Sequence, residues 1–146
     1  MKFAERMGDF IGKPFKAGGT GPDGFDCIGL VYAVLRALRC DIPDTFDRYS
    51  VHEPGKYVEL WDTNRLAAIR AMIRWVESLG EPVSEAELIT GDVCLIRSKL
   101  NGDVTPAVYA GNCLGIIAFA GQGVQAFDLS SMNAEIIAAR RLKRGS

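Results

Sequence analysis

The spacing of hydrophobic residues divides the chain into two parts, and the first part has helical spacing. Residues 1–10 predict a short helix. Residues 25–38 are apolar on nearly every side, which is typical of a buried central helix, and Asp26 stands where an N-cap belongs. Residues 62–79 carry an apolar stripe beside a charged face, which predicts an amphipathic surface helix ended by Gly80. The stripe consists of Leu66, Ile69, Ile73, Val76 and Leu79.

The second part of the chain changes to short β-type runs after Asp92. Turn signals that contain glycine, at 101–102, 111–112 and 121–123, separate these runs. Because the helices precede the strands, the pattern predicts an α+β fold, in which the buried central helix packs on a segregated antiparallel sheet. The predicted strands are residues 93–97, 105–109, 114–120, 123–129 and 135–142.

Composition narrows the class of protein. The 146 residues suit one domain, 1–146, and a hydrophobic content of 48% excludes a disordered chain. The net charge of -1 lacks the basic excess of a nucleic-acid-binding protein. No apolar run is long enough to cross a bilayer, and the N-terminus has no apolar signal core. We therefore expect no nucleic acid and no membrane as partners, and a cytoplasmic location as synthesised.

Metal and cofactor chemistry has little support in the sequence. The four cysteines include no Cys-x-x-Cys pair, and His52 is the single histidine. We therefore expect neither a metal site nor a cofactor. Cys40, Cys94 and Cys113 are interpreted as reduced thiols of an intracellular protein. Cys27 needs a separate argument because of its surroundings.

Cys27 opens the buried helix directly after a glycine-rich loop, 12–24. A helix N-terminus carries unpaired N–H groups and a positive partial charge, which stabilise a thiolate. The same amides could hold an oxyanion formed during acyl transfer. Glycines let a substrate backbone approach closely, since they have no Cβ. The position therefore indicates a thiol nucleophile; the alternative is that Cys27 is a small buried hydrophobic residue.

The stretch 12–31 resembles the NlpC/P60 family of papain-like cysteine hydrolases, which carry a pattern like G-x-P-Y-x-W-G-G-x-x-P-x-G-F-D-C-S-G-L-V. Further on, 90–96 is similar to the family's P-G-D-L-V-F-F strand, and 108–112 to its H-V-G-I-Y-x-G-N segment. The resemblance implies one papain-like NlpC/P60 domain with 41–87 as a variable helical insertion. The matching residues of the first stretch are Gly12, Pro14, Gly18, Gly19, Pro22, Gly24, Phe25, Asp26, Cys27, Gly29, Leu30 and Val31.

The resemblance also implies a reaction. Family members cleave peptidoglycan stem peptides, typically between D-glutamate and the diamino acid, with a Cys nucleophile, a His base and a third polar residue that orients the His. Aligned in this way, Cys27 is the nucleophile, Thr105 stands at the His position, and Ala118 or Ile117 stands at the third position. A slip of one residue would put Val104 or Pro106 in place of Thr105. None of these residues is a general base near neutral pH.

Other family positions are also changed. Phe15 replaces a Tyr near the nucleophile, Ala17 replaces a Trp, and Ile28 replaces a Ser. The single imidazole, His52, lies in a polar connection, where an exposed loop histidine is the ordinary interpretation and a recruited base the alternative. The resemblance assigns ligand binding to Phe15, Gly18, Gly19, Asp26 and Ile28.

Three functional hypotheses follow. The first is an NlpC/P60 domain that has lost its catalytic base and keeps the scaffold for binding peptidoglycan peptides or another small peptide-like ligand. The second is an active cysteine hydrolase that uses Cys27 with a non-standard base, such as His52 or a residue from an oligomeric partner. The third is a non-catalytic assembly protein with phage-tail-type protein partners, because compact chains of this kind resemble the NlpC/P60 proteins of phage tail operons and prophages. A virion- or tail-associated location would accompany the third hypothesis.

Overall fold

A computed structural model of the chain describes residues 8–16, 21, 23–40, 62–119 and 121–143. The helix predicted over 1–10 lies mostly outside the described residues. Within them, a long helix at Cys27 and a second at Arg65 precede a run of strands. The elements are α1 (Cys27–Ala37), α2 (Arg65–Glu77), β1 (Glu81–Pro82), a one-turn 3₁₀ helix (Glu85–Glu87), β2 (Val93–Ser98), β3 (Val104–Gly111), β4 (Leu114–Phe119), β5 (Gly123–Asp128) and β6 (Ala134–Arg141).

The described strands form one antiparallel sheet in the order β1-β6-β2-β3-β4-β5. Helix α1 packs on β3 and β4, and α2 packs on β6, β3 and β2. The predicted α+β class, with helices ahead of a segregated antiparallel sheet, is confirmed. The five predicted strands correspond to β2 through β6, whereas the two-residue β1 and the 3₁₀ turn were not predicted. None of the helices in the described part is both long and apolar enough to cross a membrane.

Helix α1 is the central buried helix. Asp26 is its N-cap, as predicted, and its carboxylate Oδ1 accepts a hydrogen bond of 2.7 Å from the backbone N–H of Gly29. Asp26 is completely buried, so this bond satisfies an amide that water cannot reach. The buried side of α1 extends from Cys27 to Leu35, and Arg36 is exposed. The cap therefore fixes where the helix starts, and that start is Cys27.

The face of α2 that packs on the sheet overlaps the predicted stripe, since Val76 and Leu79 are buried, but it is shifted from that stripe. Ala68, Met72 and Trp75 are buried, whereas Leu66, which we placed on the apolar stripe, is 57% exposed. Ile69 and Ile73 are half-buried at the edge of the contact. The stripe prediction is therefore wrong for Leu66 and missed the burial of Met72 and Trp75, whose thioether and indole offer a large apolar surface.

Strand alternation gives the sheet two apolar faces. On β2, Val93 and Leu95 belong to the cluster under the helices, whereas Cys94 and Ile96 belong to a smaller cluster on the opposite face. Burial raises the pKa of the Cys94 thiol to about 12, and the negative charge of Asp92 adds to that effect. Cys94 is therefore a protonated thiol at neutral pH.

An ion pair joins the start of β2 to the end of β6. Asp92 accepts from Nε and Nη2 of Arg141 at 2.9 Å each, and from the backbone N–H of Ile89 at 2.9 Å. Nη2 of Arg141 also donates to the backbone carbonyl of Glu87, at 2.9 Å. The hydrogen bond to Asp92 raises the pKa of Arg141. Both oxygens of the buried Asp92 carboxylate therefore accept hydrogen bonds.

The segment before the glycine-rich loop pairs with the outer strand. Gly12 donates to the carbonyl of Val124 at 2.9 Å, and Val124 donates to the carbonyl of Lys13 at 2.8 Å. Gly123 makes this approach possible, since its φ is +84° and a Cβ there would lie 2.5 Å from the Lys13 oxygen. The segment 12–13 therefore pairs with the start of the β5 edge, at Val124.

Candidate functional site

Two short backbone bonds close the glycine-rich loop at its base. Phe25 donates to the carbonyl of Pro14 at 3.0 Å, and Lys16 donates to the carbonyl of Phe25 at 3.0 Å. Gly24 is necessary for this approach, because a Cβ there would lie 2.8 Å from the Lys16 Cβ and 2.9 Å from the Pro14 oxygen. The pairing places Phe15 beside the residue that leads into α1.

Cys27 lies at the first position of α1 and lines a cavity of about 600 Å³. The residue is only 3% exposed, so the cavity is the space from which a ligand would approach its sulfur. Positive partial charge at the helix N-terminus favours a thiolate at this position. All four cysteines are in the described part of the chain, and each is a thiol there.

The cavity has an apolar wall and a polar mouth. The polar residues lie mostly on two turns, β2–β3 and β5–β6, which are joined by a 2.8 Å bond from the N–H of Lys99 to the carbonyl of Asn133. The apolar lining residues are Phe15, Ile96, Leu100, Val104, Ile117, Ala118, Phe119, Phe127 and Ala134. The polar residues are Ser98, Asn101, Asp103, Thr105, Ser131 and Asn133.

The structure brings four predicted site residues to this cavity: Cys27, Phe15, Thr105 and Ala118. Ile117, the other candidate for the third position, and Val104, one of the alternatives to Thr105, line it as well. Thr105 is half-buried and Ala118 is buried. The cavity is therefore lined by the thiol and by the positions that the resemblance gives to the His and the third residue. Val104 and Ala118 belong to the same buried cluster as Cys27, whereas Thr105 pairs with Ile96 of the cluster on the opposite face of the sheet.

The remaining predicted positions are elsewhere or undescribed. Asp26 and Ile28 are buried and are not among the residues that line the cavity. The carboxylate of Asp26 caps α1, and Ile28 packs in the core beneath it. Gly18, Gly19 and His52 lie outside the described residues.

Asp103 is the charged residue of the described lining. Its carboxylate lies 3.4 Å from Nη1 of Arg65 on α2, and its side chain is 27% exposed. The backbone N–H of Asp103 donates to Oδ1 of Asn101 at 2.9 Å, which holds the β2–β3 turn. The sequence indicated this turn through Asn101 and Gly102. The position of Asp103 two residues before Thr105 was a signal for a place near the thiol, but the turn pattern favoured a turn residue.

Sequence reasoning missed two aromatic residues and the second polar turn of the cavity. Phe119 and Phe127 lie on neighbouring strands with ring centroids 5.9 Å apart in an edge-to-face arrangement. Their alternate positions in β4 and β5 were the available signal, but only strand pairing shows that both reach the cavity. In the described part of the chain, no three His, Cys, Asp or Glu residues come together as a metal site.

Comparison with known proteins identifies the scaffold. The model of the NlpC/P60 family matches residues 12–143. No curated protein matches the chain. An NlpC/P60 family protein from Bacillus cereus ATCC 10987 superposes with a TM-score of 0.63 at 21% identity, over 95% of this chain and 38% of that one. The chain thus spans well under half of that protein.

Two solved structures match along nearly their whole length. The NlpC/p60 domain of the peptidoglycan hydrolase SagA is 23% identical, with 95% of each chain covered and a TM-score of 0.59. RipD from Mycobacterium tuberculosis, described as a non-catalytic NlpC/p60 domain protein adapted to peptidoglycan binding, is 17% identical, with 97% of this chain and 98% of that one covered and a TM-score of 0.56. The predicted papain-like fold is confirmed by these similarities.

Proposed function

Because the chain belongs to the NlpC/P60 family, we propose that it is a peptide-binding domain of cell-wall-hydrolase ancestry that has lost its catalytic base. The ligand is a peptidoglycan stem peptide. The observation that carries the proposal is the composition of the cavity beside Cys27. Thr105 and Ala118 line that cavity, and none of its described lining residues has an imidazole.

The chemistry of amide cleavage explains why this matters. A base must take the proton of the thiol and then give a proton to the leaving amine. The hydroxyl of Thr105 and the methyl of Ala118 can do neither near neutral pH. The helix N-terminus can stabilise a Cys27 thiolate, but it supplies no proton for the amine. The site therefore retains the means to bind and polarise a peptide carbonyl, and turnover is very slow.

The test compares binding with cleavage. Purified protein is titrated with a defined stem tetrapeptide by NMR, and long incubations are analysed by mass spectrometry for cleaved peptide. We expect binding-dependent shifts for Cys27 and Thr105, with no more cleavage than in Cys27→Ala. Cleavage by the unmodified protein that disappears in Cys27→Ala, or an absence of binding, would overturn the proposal.

A gain-of-function variant tests the position of the lost base. Thr105→His returns an imidazole to the Cys27 cavity, and an imidazolium lowers the pKa of a nearby thiol. We expect Cys27 alkylation by iodoacetamide at pH 7 to accelerate by about tenfold, a change of about 1.4 kcal/mol in barrier. Gln125→His, on an exposed position of β5 outside the cavity, is the matched control and should leave the rate unchanged. Equal rates in both variants would show that Thr105 is not the position of the lost histidine.

A second candidate is an active hydrolase with a non-standard base. It is favoured by the closed glycine-rich loop and the capped helix start, which keep Cys27 at a cavity large enough for a peptide. His52, or a residue of an oligomeric partner, would then serve as base. Rapid Cys27 alkylation that slows in His52→Ala would support this candidate over the first.

We propose a phage- or prophage-associated protein, since the sequence resembles the NlpC/P60 proteins of such operons. In that setting a non-catalytic domain would contact tail-type protein partners. Association with tail proteins that is unchanged in Cys27→Ala would indicate an assembly role independent of the cavity.

A further inference from the structure

The cavity beside Cys27 is unsuited to an acidic group. Its described lining includes no Lys or Arg, and the charge it does hold is the carboxylate of Asp103. Nη1 of Arg65 lies 3.4 Å from that carboxylate, but Arg65 is not among the residues that line the cavity. A ligand carboxylate in this space would lose water without gaining a cation, which is costly. It would also meet a like charge.

The wall of the cavity is suited to an apolar group. On the helix side of the sheet, where Cys27 lies, the lining residues Phe15, Val104 and Ala118 are apolar. Ile96, Ile117, Phe119 and Phe127 line the same cavity from the cluster on the opposite face of the sheet. Each apolar group that leaves water against such a wall gains roughly 25 cal/mol per Å² of buried area.

The mouth of the cavity has a different character. Neutral hydrogen-bonding side chains, including Ser98, Asn101, Ser131 and Asn133, lie on the two turns that the Lys99–Asn133 bond joins. Hydroxyls and carboxamides both donate and accept, as the peptide backbone requires. The cavity is thus apolar at the thiol and hydrogen-bonding at the entrance.

We infer that the cavity beside Cys27 receives an uncharged, apolar side chain of a peptide, while the two polar turns hold the peptide backbone. The inference rests on the proposed function only in taking the ligand to be a peptide. It adds that the acidic groups of a stem peptide stay outside the space next to the sulfur. Specificity at this position then comes from desolvation: an alkyl or aryl side chain is accepted and a carboxylate is excluded.

Matched electrophiles test this inference. N-chloroacetyl-leucine amide and N-chloroacetyl-glutamate α-amide share a reactive group and a backbone, and they differ in an apolar against an acidic side chain. Each alkylates a thiolate by forming a C–S bond with loss of chloride. Peptide mass spectrometry gives the separate rates at Cys27 and at Cys113, which is exposed and serves as an internal reference.

We expect Cys27, normalised to Cys113, to react about tenfold or more faster with the leucine reagent than with the glutamate reagent. Thr105→Lys places a cation in the lining and should reduce that preference about tenfold or more. Gln122→Lys, at an exposed turn position away from the lining, is the matched control and should keep the preference. Equal Cys27 rates with both reagents, faster reaction with the glutamate reagent, or no Cys27 labelling by either would overturn the inference.

These outcomes are separable from the fate of the proposed function. Cys27-dependent cleavage of a stem peptide would remove the proposed loss of the base and leave the side-chain preference standing. Equal labelling by the two reagents would remove the preference and leave the binding and cleavage results as they were.

Discussion

Arg141→Met should destabilise the protein more than a single substitution near the surface usually does. The substitution keeps most of the aliphatic packing of the side chain and removes the guanidinium that pairs with Asp92. The Asp92 side chain is 2% exposed, so its carboxylate would keep one described bond, from the N–H of Ile89, and would lose both bonds from Arg141.

The size of the loss follows from the unequal burial of the two partners. Removing one partner of a buried ion pair costs about 3–5 kcal/mol, whereas an exposed pair is worth about 0–1 kcal/mol. Arg141 is 40% exposed, so solvent screens part of the interaction. We expect a decrease of about 2–3 kcal/mol in the free energy of unfolding. Arg141→Lys, which retains the charge without the two-pronged geometry, should cost about 1–2 kcal/mol.

Urea unfolding followed by circular dichroism measures the effect. Arg97→Met is the matched control, since Arg97 also pairs across β2 and β6, with Glu135, but both side chains of that pair are exposed. Its expected cost is below about 0.5 kcal/mol. In the double variant Asp92→Asn/Arg141→Met, the decrease in the free energy of unfolding should be smaller than the sum of the decreases in the two single variants, by about 1–2 kcal/mol. Equal losses for Arg141→Met and Arg97→Met, or strict additivity in the double variant, would refute the reasoning.

Two further predictions concern buried groups on either side of the sheet. The folded-state pKa of Cys94, about 12, is above its ordinary value of 9.0, so the unfolded chain releases this proton first as pH rises. The free energy of unfolding is therefore unaffected by this group below pH 9 and falls between pH 9 and 12. The expected loss at pH 10.5 is about 1–2 kcal/mol. Urea midpoints at pH 8 and 10.5 should show this loss in the parent and not in Cys94→Ala, and an identical pH dependence of the two would contradict it. Asp26→Ala should cost about 1–3 kcal/mol, since the buried N–H of Gly29 loses its acceptor; Asn64→Ala, which removes the exposed cap of α2, is the comparison and should cost less. A cost for Asp26→Ala no larger than for Asn64→Ala would count against the buried-cap argument.

Local signals predicted the parts of the fold that depend on neighbours in sequence. Asp26 followed by an apolar run predicted the start of α1 to within one residue, because a cap and the helix it stabilises are adjacent. Glycine-containing turns placed the limits of β3 and β4 in the same way. The match of 12–31 to a family pattern predicted the fold and drew attention to Cys27.

Long-range contacts were beyond such signals. The pairing of Asp92 with Arg141 spans 49 residues and depends on how β6 lies beside β2. The burial of Trp75 on α2 was not predicted, because periodicity leaves neighbouring stripes similar and the fit of the indole against the sheet decides between them. The apolar wall of the cavity depends on Phe119 and Phe127 meeting across two strands, which no spacing in the sequence reveals.

The pairing of Gly12 and Lys13 with Val124 has a consequence for behaviour in solution. An outer strand with unsatisfied amides and carbonyls is a template for intermolecular β-pairing and aggregation. Here the chain's own segment occupies the start of that edge, and the same segment leads directly to Phe15 at the thiol cavity. Detachment of this segment from β5 would expose the strand edge to intermolecular pairing and would also deform the ligand site. Resistance to aggregation and ligand recognition therefore depend on the same short stretch of backbone.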